Sequence, residues 1–352
     1  MKYIKAFDTL RAFAVTFVII NHSFPNTAFI HKIAFGEIGV YFFFVLSGFL
    51  ITTILLNEKE QSYSIKRKLG IFYIRRSLRI FPAYYLFLFI NFLFQQPDLI
   101  KHTAYFLTYT QSFIFFKTAS YAGALSPTWT LAVEEQFYLL WPFIILFAPK
   151  KHLLKIIIGC ILFSPLFRIS VAVAGRLVGQ NTSLSLALMP SNMLCLCSGA
   201  LLAYTIFYKE ENFLHRVLSK KIFILSIVVY LSIPFLGITS LWISIISQTL
   251  MSIISSYIIL TILKGKSKHI AFLNTKITVY IGKISYGMYL YHTVAAAIIF
   301  NLLVKPLNIH VSIGDSDLYN FLITFSTTIL VASVSWFLFE KPINMFKRKF
   351  SY

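Results

Sequence analysis

Acidic residues are scarce in this chain. Its 352 residues include 32 Lys and Arg but only 12 Asp and Glu, and charged residues of either sign make up 12%. A soluble globular domain carries about 25% charged residues, so the composition excludes that class. Cysteine is scarce too: there are 3, Cys160, Cys195 and Cys197, all within apolar stretches. Cys195 and Cys197 are two positions apart, on well-separated faces of a helix, and no histidine clusters with them. Neither a disulfide framework nor a zinc or other metal site is therefore expected. Three further features are missing. No internal repeat is evident, which weighs against a transporter built from inverted halves. No low-complexity linker divides the chain, so residues 1–352 read as a single domain. No small-residue cleavage site follows the first apolar segment, which also contains Asp8 and Arg11, so a removable secretory signal is not expected.

Apolar side chains fill the composition instead. Hydrophobic residues make up 58% of the chain, in recurring runs of about 20, the length that crosses a bilayer as a helix. The prediction is an all-α polytopic bundle whose solvent is lipid. It has about ten spans, near 7–24, 38–56, 80–94, 131–148, 153–174, 184–207, 222–237, 241–263, 281–303 and 318–339. A net charge of +20 would suggest nucleic acid in a soluble protein. In a membrane protein, basic residues hold loops on the cytoplasmic side, so no nucleic-acid partner is expected. With the N-terminus inside, only Lys32, Lys101, Lys117, Arg176 and Lys305 fall in outer loops, while Arg168 falls within a span. Both termini are then cytoplasmic. Counting the apolar stretch 103–116 as a span would move Lys150 and Lys151 outside, so it is read as an interfacial or re-entrant piece of an outer loop.

The polar residues inside these spans are the candidates for chemistry. Arg11 and His22 share the first span, separated by eleven positions. That spacing leaves their side chains about 20° apart around the axis and about 16 Å apart along it. A central Arg raises the cost of insertion by about 2.5–3.5 kcal/mol, which argues for a use. One use is a ligand along the membrane normal, its charged end at Arg11 and its reactive end at His22, in one vertical channel. Arg75, Arg76 and Arg79 lie at a cytoplasmic helix end, where Pro82 is expected to disturb the helix as the third span begins. Their forked donors suit a polyphosphate; ordinary positive-inside anchoring explains them as well. Glu134 and Glu135, beside Trp129, fall near the outer end of the fourth span, at the depth of His22 by loop-charge topology. A carboxylate next to an imidazole fixes its tautomer and stabilises its protonated form, as a general base requires. Ser47, next to Gly48, reads first as a small-residue packing step, since no base is identifiable beside it. His292, near Tyr286, Tyr289 and Tyr291, is either hydrogen-bonded within the bundle or part of a site. Arg168 reaches either an outer substrate or a buried acid. Glu340-Lys341-Pro342, closing the last span, reads as structural.

The motifs that carry these residues run in a fixed order. D-x-LRA-x-A…H at 8–22 is followed by GVYFFFVLSGFLI at 39–51 and RRSLRIFPAYY at 75–85. WTLAVEEQFYLLWP at 129–142, SYGMYLYH at 285–292 and FEKP at 339–342 complete the set. In this order they resemble the acyltransferase family 3 of membrane-bound acyltransferases, over nearly the whole chain. The resemblance implies about ten spans with both ends cytoplasmic, in the cytoplasmic (inner) membrane of a bacterium. It implies transfer of an acyl group, commonly acetyl, from cytoplasmic acyl-CoA to a hydroxyl of an extracytoplasmic glycan such as O-antigen, capsule or peptidoglycan. Some relatives modify small molecules such as macrolides instead. It makes His22 the catalytic histidine, links Arg11, Arg75, Arg76 and Arg79 to acyl-CoA, and matches Glu134 and Glu135 to a pair of family acids. Asp8, within the first motif, accompanies Arg11. Longer members carry an appended extracytoplasmic hydrolase-like domain, which is not expected here because Tyr352 closely follows the last predicted span.

Overall fold

The computed structural model describes residues 3–24, 33–210, 217–235, 240–265, 274–299 and 317–350. Among them the regular structure is entirely helical. In chain order the helices are α1 (Lys5–Ser23), α2 (Phe35–Lys59), α3 (Ile65–Leu93) and the short α4 (Pro97–Lys101), α5 (Thr103–Leu107) and α6 (Gln111–Thr118). Then come α7 (Thr128–Phe147), α8 (Lys150–Leu177), α9 (Met189–Phe207), α10 (Lys220–Ser232) and α11 (Ser240–Leu263). The chain continues with α12 (Lys276–Tyr291), α13 (Ala295–Ile299) and α14 (Asp317–Ser335). Hydroxyl caps start three of them: Ser64, Ser219 and Thr275 accept from the backbone N–H of Arg67, Ile222 and Thr278. Each satisfies a donor that the first helical turn leaves open.

Six described segments are long and apolar enough to cross a membrane: Phe35–Lys59, Gly123–Phe147, Lys150–Leu177, Met189–Phe207, Leu241–Leu263 and Asp317–Lys349. The spans predicted at 7–24, 80–94, 222–237 and 281–303 fall on α1, α3, α10 and α12, which are shorter or more polar. The predicted sixth span begins late, because Ser183–Ala187 is a 3-10 turn and α9 starts only at Met189. The ninth breaks at His292, and its last residues lie outside the described ones. The stretch 103–116 divides into two short helices, neither of which could span.

Pro82 does not interrupt α3, contrary to expectation. The proline removes one donor, and hydroxyls from α12 bond the carbonyls on either side of it. Tyr286 donates to Ile80 O at 3.1 Å and Tyr291 to Ala83 O at 3.3 Å. The carbonyl that the proline leaves without its helical donor is that of Leu78, four residues earlier; the two tyrosines anchor α12 to the neighbouring turn of α3.

The centre of the bundle is built on close backbone approach. α2 packs most extensively against α9, and α1 lies between α12 and α2. A Cβ on Gly48 would sit 1.8 Å from Leu196 O, and one on Gly199 would sit 1.9 Å from Val45 O. The two helices therefore cross at a reciprocal pair of glycines, so the small-residue reading of Gly48 holds. Gly282 does the same for α12 against α1: a Cβ there would lie 1.9 Å from Asp8 O. That contact sets α12 beside the turn of α1 that carries Arg11. Away from the centre, α8 turns Leu162, Phe163 and Leu166 outward, an apolar face that suits lipid.

Candidate active site

α1, α2, α3, α7 and α12 line a cavity that is partly open. Arg11, Arg76 and Arg79 enter it together with Glu134, Glu135, Ser47, Tyr138, Ser285, Tyr286 and Tyr289. Phe43, Phe44 and Leu50 supply apolar wall. Helical spacing explains part of this set: Glu134 and Tyr138 are i and i+4 on α7, and Arg76 and Arg79 are i and i+3 on α3. A second cavity adjoins it, lined by Tyr3, Asp8, Asn57, Glu58, Arg75, Arg76 and Arg79 among others. A third is bordered by Asp8, Arg11, Arg79, Lys283, Tyr286, Glu340 and Lys347. Arg11 and Arg79 line all three, so the guanidiniums stand where the cavities meet.

Several of these charges are held. Arg11 pairs with Asp8 at 2.8 Å, one helical turn earlier, and Tyr3 donates its hydroxyl to the same carboxylate. Arg76 lies 5.0 Å over the Tyr138 ring and 6.0 Å from that of Phe72, the flat stacking that suits a guanidinium. Arg75 turns aside: it donates to Phe350 O at 2.7 Å and Lys347 O at 3.3 Å, tying the C-terminal segment to α3. The predicted arginine cluster is thus divided. Arg76 and Arg79 face the first cavity, while Arg75 borders only the second.

The carboxylates belong to this region. Glu134 Oε1 accepts the Ser47 hydroxyl at 2.7 Å, and the buried Glu135 Oε1 has no donor among the described residues. Ser47 therefore does have a basic group beside it, which no sequence spacing connects, because the two sit 87 residues apart. Trp129 is one layer back, edge-on to Phe44 at 6.0 Å. Tyr286 spans two cavities while holding Ile80 O.

His22 lies elsewhere. It is exposed near the end of α1 and does not line the cavity, which ends on this side at Tyr289 and Thr130. The Tyr289 hydroxyl accepts from Thr130 Oγ1 at 2.7 Å and donates to Pro127 O at 3.2 Å. The Tyr289 ring is 5.9 Å from that of His292, and the His292 ring is 4.9 Å from that of His22. The single open channel predicted from Arg11 to His22 is therefore a cavity followed by a stack of rings. The ring found against His22 belongs to His292, and the acids predicted to flank it line the cavity instead. Loop-charge counting orders span ends; it does not place side chains around a helix.

Arg168 takes no part. It is buried between α8 and α11, bonded to Ser244 Oγ and to Gln248 Oε1 at 3.3 Å. Its hydrogen-bond partners are a hydroxyl and an amide, and the Glu37 carboxyl lies near enough to act on it electrostatically, so of the two predicted alternatives the structure favours the acid. Glu340, read as structural from sequence, is buried, accepts from Ser335 Oγ at 3.0 Å and borders the third cavity. It closes a π-helical turn, Trp336–Glu340, a distortion that recurs at functional sites. No sequence signal marked that turn.

Residues 4–340 match the model of the acyltransferase domain of acyltransferase family 3. The chain belongs to this family. A peptidoglycan O-acetyltransferase OatA of Listeria monocytogenes is 37% identical over 193 residues, covering 49% of this chain and 30% of the relative. An O-acetyltransferase OatA of Staphylococcus aureus is 28% identical over 364 residues, covering 97% of this chain and 57% of the relative. The acyltransferase chain therefore spans little more than half the length of the second and less than a third of the first. No solved structure matches it.

Proposed function

We propose that this acyltransferase is a membrane O-acetyltransferase that moves acetyl from cytoplasmic acetyl-CoA to a hydroxyl of an extracytoplasmic glycan. Peptidoglycan, named for the Listeria relative, is the first acceptor to test. The protein lies in a bacterial cytoplasmic membrane with about ten spans and both ends inside, the arrangement favoured by its loop charges. One observation carries the donor assignment: three cavities meet at Arg11 and Arg79. A polyanionic carrier that delivers an acyl group needs such a junction, with cations at the entry and an apolar pocket beyond.

In this reading Arg76, Arg79 and Arg11 hold the donor's phosphates. The pantetheine arm extends into the first cavity along Phe43, Phe44 and Tyr138. Ser47, Glu134 and Glu135 offer polar partners for its amides and hydroxyl. Tyr289 stands between this cavity and His22, so in this reading its ring turns aside for the thioester to reach the imidazole. The acceptor oxygen attacks the thioester carbonyl, a C–O bond forms and the C–S bond breaks. His22 takes the hydroxyl proton and returns it to the departing thiolate. Fixed charges at one end and a base at the other make orientation a main source of rate.

The test is incubation of membranes containing the full chain with [14C]acetyl-CoA. Label should appear in a glycan fraction and be released by mild base, as expected of an ester. Label that appears nowhere above membranes lacking the chain would overturn the activity. Label confined to a small molecule would overturn the acceptor class.

A further inference from the structure

A buried imidazole stands directly behind His22. His292 ends α12 and is buried, and its ring centroid lies 4.9 Å from that of His22 at an interplanar angle of 56°. Its Nδ1 is 2.7 Å from Tyr289 O. A carbonyl oxygen only accepts, so Nδ1 carries the hydrogen, and in the neutral ring Nε2 is left with a bare lone pair. That Nε2 is buried and has no hydrogen-bond partner among the described residues. A buried acceptor left without a donor is costly and asks for a reason. The turn around it is well tied. The His292 backbone N–H donates to Met288 O at 3.1 Å, the Thr293 hydroxyl to Ala124 O at 2.7 Å, and the Val294 N–H to Tyr291 O at 2.9 Å. The ring is therefore held in place with one nitrogen committed and the other available.

We propose that His292 is a positioning residue for His22. Its Nε2 receives an N–H of the His22 ring during the reaction. This selects the His22 tautomer whose other nitrogen is unprotonated and can take the proton of the acceptor hydroxyl. When His22 becomes the imidazolium, the same hydrogen bond is strengthened by charge. No proton needs to move onto His292. The role that the sequence assigned to a carboxylate is filled by a second imidazole, which adds no negative charge at the end of the cavity. The proposal rests on His22 being the base, and the experiment separates the two.

His292→Gln and His292→Asn divide the functions of the ring. The glutamine oxygen reaches the place of Nε2 and keeps the acceptor. The asparagine amide reaches the place of Nδ1 and keeps only the bond to Tyr289 O. Both are measured in membranes with [14C]acetyl-CoA, as initial rate and apparent KM per amount of folded chain, beside wild type and His22→Ala. The expected result is that His292→Gln retains activity within about tenfold of wild type, while His292→Asn loses about 100-fold in kcat, the low end of a general-base contribution. Retention by Asn with loss by Gln, or retention by both, would show a merely structural ring and overturn the proposal. If both lose activity, a loss confined to kcat supports it, and a loss shared by KM or by chain abundance overturns it. Full activity in His22→Ala would instead remove the base itself, and the parent mechanism with it.

Discussion

The two ends of the candidate site are built in opposite ways. At the arginine end, three cavities meet and several charged side chains line open space. At the histidine end a few rings follow closely: Tyr289, His292 and the exposed His22 succeed one another at ring distances of 5.9 and 4.9 Å. A region that binds a large polyanion needs room and many donors, each contributing modestly. A region that moves one proton needs few groups, held close. The contrast implies that substitutions at the arginine end change binding and that those at the histidine end change turnover.

Breaking that contrast is the strongest test. His22→Ala should lower the acetyl-transfer rate by about 10²–10⁴-fold, the range of general-base contributions, at unchanged chain abundance and unchanged KM for acetyl-CoA. A comparable rise in KM would merge the two ends into one binding site. Arg76→Ala should act the other way, raising the KM for acetyl-CoA by about tenfold with little change in kcat. That factor corresponds to the loss of one charge-assisted hydrogen bond at about 1.5 kcal/mol. Steady-state kinetics at varied acetyl-CoA would show it, and an unaltered KM would move donor binding away from α3.

Ser47→Ala should produce an intermediate effect of about fivefold on kcat/KM. The variant removes one neutral donor, worth about 1 kcal/mol, from the Glu134 carboxylate. A loss as large as that of His22→Ala would make Ser47 a reacting group and shift the chemistry into the cavity. Arg168→Met should affect kinetics least. Its partners Ser244 and Gln248 lie outside both ends, so the thermal midpoint in detergent should fall while activity per folded chain stays near wild type. Altered KM in that variant would extend the site to α8 and α11.

Some side chains were legible before the fold because local spacing governs them. Arg11 and His22 share α1, and Glu134 and Glu135 share α7, by position along the chain; helical spacing puts Arg75 and Arg79 on one face of α3 with Arg76 to one side, yet Arg76 and Arg79 line the first cavity and Arg75 does not. The irregular stretch after α3 was legible from charge, since a span there conflicted with Lys150 and Lys151. Other features were hidden because they depend on contact between distant segments. Ser47 and Glu134 meet across α2 and α7. Arg168 found hydroxyl and amide partners on α11. α12 is tied to α3 beside Pro82 by tyrosines some 200 positions later, with sequence separations of 206 and 208.

The amino-acid order by itself determined an apolar helical bundle, the family motifs and the identity of the polar residues placed inside it. These follow from hydropathy, helical period and the aversion of charge to lipid, all of which act along the chain. Only the tertiary structure decided which polar residue faces which. Gly48 against Gly199 and Gly282 against α1 bring backbones close enough to fix the rotation of neighbouring helices. That rotation turns Ser47 of α2 toward Glu134 and sets His292 behind His22, because a helix can turn about its axis without changing any pattern read along its length.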